Sequence, residues 1–116
     1  MQPDPRDAGY LWDMLDNARS VRRVASSASQ ERLIEDRDLQ LLLERAIEII
    51  DEAAGRVSPG FRNAHAEIPW VQIIGLRNVI VHEYGDIDYD LIWRVATHDV
   101  PVLIAALEPI VPPIAT

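Results

Sequence analysis

The 116-residue chain contains no cysteine and no lysine. Without cysteine it can form neither a disulfide framework nor a thiolate metal site. All 11 basic residues are therefore arginines, whose planar guanidinium groups suit phosphate recognition. A bias in the base composition of the genome is the simpler explanation of this usage, so the arginines alone do not indicate a function.

Long hydrophobic runs are also missing. No stretch approaches the roughly 18 apolar residues that a membrane helix needs, and the first residues, Met1-Gln-Pro-Asp-Pro, lack the basic start and apolar run of a signal peptide. These absences predict a cytoplasmic protein with no membrane segment.

Positive charge is in short supply as well, with a formal net charge of −8. Proteins that coat DNA or RNA tightly and broadly usually carry a basic face, because neutralisation of phosphates dominates their affinity. The composition argues against that class of protein. A local cationic pocket is still compatible with it, since the field depends on where the charges lie.

The residues that are present indicate a folded helical protein. Hydrophobic residues make up 48% of the chain and charged residues 26%, as in globular domains. Apolar residues recur at three- and four-residue steps, and no β-hairpin signal or repeat occurs. We therefore expect residues 1–116 to form one all-α domain, an up-down bundle of four to five helices. A chain this short has a thin core, which favours a homodimer.

The pattern divides the chain into successive helices. Asp7 is a candidate N-cap of the first helix, which is predicted to end in the serine-rich stretch that begins at Ser26. A charged connection over 31–38 precedes a second helix that ends near Gly55. Its apolar side is predicted to comprise Leu39, Leu42, Leu43, Ala46, Ile49, Ile50 and Ala53. The third helix is predicted to run from Pro69 to Gly85. It is apolar almost all round and hence buried on most sides, either in the domain centre or against a second subunit. Another helix starts near Tyr89, and Pro101 either kinks it or begins a new one.

One cluster of polar residues lies in the most apolar of these helices: Arg77, Asn78, His82 and Tyr84. A buried arginine needs a partner or a ligand. At about 100° per residue, His82 would lie well round the helix from Arg77. The two side chains could share a pocket if the helix loosens near Gly85, or if a second copy packs across the first.

Such a set suits metal-independent cleavage of RNA through its 2′-hydroxyl group. Histidine titrates near neutral pH and can act as acid or base, while arginine holds charge on the phosphate oxygens. By itself, an arginine followed five residues later by a histidine is a weak signal. A structural ion pair between Arg77 and Glu44, Glu48 or Glu52 is the better interpretation of that spacing alone.

Longer stretches resemble the HepT branch of the HEPN domains. The matching pieces are RAIEIIDEA at 45–53, EIPW at 67–70, GLRNVIVHEYGDID at 75–88, DLIW at 90–93 and DVPVLIAAL at 99–107. The family's Arg-x4-6-His motif corresponds to Arg77 and His82, and its His-x-Tyr extension to His82 and Tyr84. Asp51 and Glu83 depart from the resemblance, because glycine is expected at both positions.

The resemblance implies an all-α toxin that cleaves RNA at a cleft between two copies of the motif. It implies as partner a minimal nucleotidyltransferase antitoxin, MntA, that transfers AMP to the motif tyrosine, here Tyr84. We assign Arg77 and His82 as catalytic, and Asn78 and Arg45 as substrate-binding, with a salt bridge as the alternative role of Arg45. No metal or other cofactor is expected, since His65 and His98 are isolated.

Two other functions fit parts of the sequence. The chain could be a catalytically silent module that holds a nucleotide or phosphate and docks a nucleotidyltransferase, as the net charge of −8 favours. It could also be a structural dimerisation domain, as the apolar third helix favours.

Overall fold

The computed structural model describes residues 3–81 and 86–112, and helices dominate these ranges. The helices are α1 (Pro5–Ser26), α2 (Gln30–Glu35), α3 (Arg37–Arg56), α4 (Pro59–Ala64), α5 (Trp70–Ile73), α6 (Leu76–Ile80), α7 (Tyr89–Arg94) and α8 (Val100–Leu107). A π-helical turn at Val95–Asp99 joins the last two. Within the described ranges no strand forms, so the predicted all-α class is confirmed.

Most of the core residues lie on three long units: α1, α3, and the rod formed by α7, the π-helical turn and α8. Helix α1 packs along α3 and α8. The spacing of apolar residues predicts a buried stripe at 11, 14, 15, 18, 21, 24 and 25, and all of these are buried except Val24, which is half-buried. Helix α3 buries Leu43 and Ile47 completely, whereas Leu42 is 42% exposed. The prediction that Leu42 faces the core is therefore wrong. A step of about 100° separates Leu42 from Leu43 on the helix, and the buried side is completed by Ile47 instead.

The start of α1 differs from the predicted cap. Its N-cap is Asp4, whose side chain accepts a hydrogen bond from the Asp7 backbone N–H. Asp7 is buried and accepts hydrogen bonds from the backbone N–H of Ser58 at 2.8 Å and from the Ser58 hydroxyl at 2.6 Å. Asp7 thus connects α1 to the start of α4, a long-range role that the local sequence pattern does not reveal.

Pro101 lies in a helical rod that continues from α7 into α8. Proline has no N–H to donate and its ring disturbs the preceding turn. The chain accommodates it with the π-helical turn, in which the Val100 N–H bonds to the Val95 carbonyl. Helix α8 begins at Val100, so Pro101 lies in its first turn, as one of the two predicted alternatives has it. The backbone of Asp99 and Val100 stays right-handed helical across the junction. No helix in the described part of the chain is both long and apolar enough to cross a membrane.

Candidate functional site

The segment predicted as one helix from Pro69 to Gly85 is broken in two. Pro69 is the N-cap of the short helix α5, and α6 begins after Ile74 and Gly75. Gly75 has a φ of 121°, a backbone conformation that residues with a Cβ rarely adopt. The prediction of a continuous helix is wrong because the apolar pattern carries no signal for this change of chain direction.

The second half of the segment ends earlier than predicted. Helix α6 stops at Ile80, and Val81 is extended and forms an isolated antiparallel bridge with Ile87. The Asp88 N–H donates to the Ile80 carbonyl at 2.8 Å, so the described chain returns alongside itself here. The predicted position of His82 round the helix from Arg77 concerns a residue outside the described ranges. His82 and Tyr84 themselves, with Glu83 and Gly85, lie outside the described residues.

Arg77 lies near the start of α6 and is exposed. The prediction that Arg77 is a buried cation in need of a partner is therefore wrong. Two of the three proposed carboxylates have other partners: Glu44 lies 3.6 Å from the Arg37 guanidinium, and Glu48 accepts from Arg45 at 3.0 Å. Glu52, the third, is exposed. Among the described ion pairs none involves Arg77. Its guanidinium is therefore open to a ligand from solvent.

Asn78 and Val79 extend the exposed surface next to Arg77. Asn78 is exposed, Val79 is 60% exposed, and Val71 on α5 is 83% exposed. Among the described residues of this segment, only Trp70, Ile73 and Ile80 are buried in the single chain. The segment is therefore not enclosed in the domain centre, and its burial against a second subunit stays a prediction. The outer side of α6 thus combines a cation, an amide side chain and an apolar patch.

Arg45 lies on α3, the helix against which α6 packs. Its guanidinium donates to the Glu48 carboxylate at 3.0 Å, one helical turn along. This ion pair is the alternative that the sequence left open for Arg45. The structure brings Arg77 and Asn78 together on one surface and leaves Arg45 in a salt bridge on the neighbouring helix.

Three residues near this segment were not singled out as site residues in the sequence. The Tyr89 hydroxyl donates to Glu44 at 3.2 Å and lies 3.5 Å from the Arg37 guanidinium. Burial, followed by the nearby Glu44 carboxylate, raises the pKa of Tyr89 above its ordinary value. Tyr89 opens α7, so this cluster attaches the chain just after the Val81–Ile87 bridge to α3. No local pattern indicates these contacts, which span 45 and 52 residues.

Asp51 is the fourth such residue, and here a signal existed, because glycine was expected at its position. Its carboxylate accepts hydrogen bonds from the backbone N–H groups of Gly75 and Arg77, each at 3.2 Å. Asp51 therefore contacts the residues at which α6 begins.

The histidines within the described ranges form no cluster with other ligands. His65 contacts Glu67 at 3.2 Å and stacks on Phe61, with ring centroids 4.3 Å apart. No group of three or more His, Asp or Glu residues within 3–81 and 86–112 is arranged to hold a metal ion.

Comparison with known proteins identifies relatives of the chain. The profile of the family described as "Ribonuclease HepT-like" matches residues 14–110. "Putative RNase MJ1380" of Methanocaldococcus jannaschii is 32% identical over 99 residues, which cover 85% of this chain and 91% of that protein. "Probable ribonuclease HepT" of Thermococcus cleftensis is 28% identical, over 85% of this chain and 90% of that protein. No solved structure gives a significant match.

Proposed function

Since the chain belongs to the HepT-like family of ribonucleases, we propose that it is the toxin of a toxin–antitoxin pair and cleaves RNA without a metal ion. The observation that carries this proposal is the exposed guanidinium of Arg77, which has no acidic partner among the described residues. An arginine free of carboxylates can bind a phosphate group through two parallel hydrogen bonds.

The proposed reaction uses the ribose of the substrate as the nucleophile. A base removes the proton of the 2′-hydroxyl, the 2′-oxygen bonds to phosphorus, and the bond from phosphorus to the 5′-oxygen breaks. An acid protonates that leaving oxygen, and the products are a 2′,3′-cyclic phosphate and a 5′-hydroxyl. His82 serves as the acid or base because imidazole titrates near neutral pH. Arg77 stabilises the charge that develops on the phosphate oxygens, and Asn78 and Arg45 contact the substrate around it.

We further propose that two copies of the chain form the working enzyme. The described surface carries exposed Val71, Val79 and Val102, and a groove of about 390 Å³ lies between α3, α5, α6 and the rod, with a mostly apolar lining. Exposed apolar surface of this kind is favourable to bury against a partner. A homodimer would supply a second Arg77 and His82, as the shared cleft requires.

The mechanism predicts cleavage that survives removal of metal ions and depends on the 2′-hydroxyl. The purified chain should cut RNA as fast in EDTA as in magnesium and leave cyclic phosphate ends. An oligonucleotide with one 2′-deoxy residue at the mapped cut site should resist cleavage there and still be cut at other sites. The measurement is gel analysis of end-labelled products. Cleavage of the deoxy site at the ordinary rate would contradict the mechanism.

Control by an antitoxin is the second part of the proposal. The partner is a nucleotidyltransferase of the MntA type, and the modified residue is Tyr84, which lies outside the described residues. AMP would add bulk and negative charge two residues from His82, so RNA phosphate would be excluded by sterics and repulsion.

This part predicts a change in intact mass. After co-expression with the transferase, the chain should gain about 329 Da for each AMP, and the Tyr84→Phe variant should gain nothing. Tyr89→Phe is the matched control and should gain as much as the wild type. A gain that persists in Tyr84→Phe and disappears in Tyr89→Phe would move the modification site to Tyr89.

The net charge of −8 favours a second candidate, a module without turnover that docks a nucleotidyltransferase. It predicts that the purified chain cuts no RNA in any buffer but co-elutes with the transferase. Cleavage that depends on Arg77 would exclude it.

A further inference from the structure

Asp51 on α3 contacts the backbone at which α6 begins. One carboxylate oxygen accepts from the Gly75 N–H and the other from the Arg77 N–H, both at 3.2 Å. Gly75 and Arg77 follow Asp51 by 24 and 26 positions in the sequence, so these bonds are tertiary contacts. They are made to the main chain, which leaves the guanidinium of Arg77 outside the interaction.

Helix α6 depends on such contacts because it has few of its own. It contains five residues, far fewer than an isolated helix needs for stability in water. Its N-cap is Gly75, which has no side chain to accept from the first N–H groups. A helix start leaves these groups without intrahelical partners, and a carboxylate is the acceptor that its dipole favours.

The carboxylate also selects the conformation in which α6 starts. Gly75 adopts a φ of 121°, and the bonds to Gly75 and Arg77 bracket the intervening residue. Glycine is free to adopt many other conformations. Within the segment, the Gly75 carbonyl accepts from the Asn78 and Val79 N–H groups at 3.0 and 3.2 Å, and Asp51 bonds the N–H groups on the other side of this turn. The backbone of Arg77 sets the direction in which its side chain leaves α6.

The chain from Gly75 to Tyr89 is attached to α3 at its other end as well. Tyr89 donates to Glu44, and Glu44 precedes Asp51 by seven residues, about two helical turns or roughly 10 Å. Helix α3 thus provides one attachment at each end of the chain between Gly75 and Tyr89. Of these two, only Asp51 bonds directly to the residue that carries the proposed phosphate-binding cation.

We infer that Asp51 is a positioning residue, which orients Arg77 toward the substrate phosphate by fixing the backbone at the start of α6. This inference rests on the proposed ribonuclease function. Asp51 does not itself touch RNA in this arrangement, because both of its oxygens are directed at main-chain N–H groups. Its loss should therefore slow the chemical step more than it weakens binding.

The test compares Asp51→Ala and Asp51→Asn with Glu52→Ala, which removes the same charge from the next, exposed position of α3. For Asp51→Ala we expect kcat to fall about tenfold or more, since small displacements of a catalytic group are costly, with KM changed less than twofold. Asp51→Asn should recover part of the loss, because its amide oxygen replaces one of the two acceptors. Glu52→Ala should match the wild type in both constants.

Two further measurements separate positioning from a general loss of structure. Hydrogen exchange of the Gly75 and Arg77 amides should accelerate in Asp51→Ala while the amides of α1 keep wild-type protection. In an Arg77→Lys background, Asp51→Ala should lower kcat by a smaller factor than in the wild type. Asp51 acts by orienting Arg77, so its removal costs less once Arg77 has been replaced.

The outcomes are distinguishable. If Arg77→Ala is inactive but Asp51→Ala keeps wild-type kcat, the positioning role is overturned and the proposed function stands. If Arg77→Ala remains fully active, the proposed role of Arg77 in cleavage fails, and the positioning role of Asp51 fails with it. If the wild type itself cuts no RNA, the proposed function fails. Should Asp51→Ala lose α1 protection as well, Asp51→Asn decides: wild-type kcat together with accelerated exchange at both amides would overturn the inference.

Discussion

Replacement of Arg77 by alanine is expected to lower kcat for RNA cleavage by about 10²–10³, the usual effect of removing one group that stabilises developing charge. His82→Ala should lower it by about 10²–10⁴, the range of general acid–base catalysis. The exposed position of Arg77 means that its substitution should leave the fold intact, so the loss can be assigned to chemistry. Single-turnover cleavage in EDTA measures the effect.

A matched control is available on α7. Arg94 is exposed and lies outside the proposed site, so Arg94→Ala removes the same charge and should change kcat less than twofold. Growth of cells that express each variant gives a second readout: wild type and Arg94→Ala should arrest growth, and the two motif variants should not. If Arg77→Ala and His82→Ala both cut RNA as well as the wild type, the mechanism is wrong.

The second large effect concerns stability. Leu43→Ala should lower the free energy of unfolding by about 2–5 kcal/mol, because truncation of a buried leucine loses both its burial and the packing around it. Leu43 is 0% exposed on α3 and belongs to the hydrophobic core. A domain of this size has a total stability of only about 5–15 kcal/mol, so the variant should be near the limit of folding.

The neighbouring residue provides the control. Leu42→Ala removes the same atoms one position earlier, where the side chain is 42% exposed, and should cost under about 1 kcal/mol. Urea denaturation monitored by circular dichroism measures both values. The dependence of the unfolding free energy on urea concentration should be the same in both variants. Equal losses for the two variants would contradict the assignment of Leu42 to the surface.

The long helices could be predicted because their evidence is local. Helix α1 places an apolar residue on its inner side at every third or fourth position, and the structure buries all of these residues except Val24. The interior of α3 follows the same rule, except that the pattern predicted Leu42 and Ile49 on the inner side, whereas the structure buries Ile47. Hydrophobic residues occur on more than one side of α3, and which of them is covered depends on where α1 and α6 lie.

The candidate site was predicted by residue type but not by geometry. Arg77 and Asn78 stood out as polar residues within an apolar run, and the structure describes both as exposed on α6. The break at Gly75, the end of α6 at Ile80 and the Val81–Ile87 bridge were not predicted. An unbroken apolar run with a proline at its start has the local pattern of one helix.

The sequence by itself determined the all-α class, the positions of α1 and α3, and the membership of the chain in a ribonuclease family, because periodicity and motif spacing are properties of neighbouring residues. Only the tertiary structure decided that Asp7 bonds to Ser58, that Glu44 accepts from Tyr89, and that Asp51 holds the start of α6. Each of these contacts joins groups more than 20 residues apart. A carboxylate in a helical pattern looks the same whether it faces water or a distant backbone N–H, so its partner is defined only when the helices have packed.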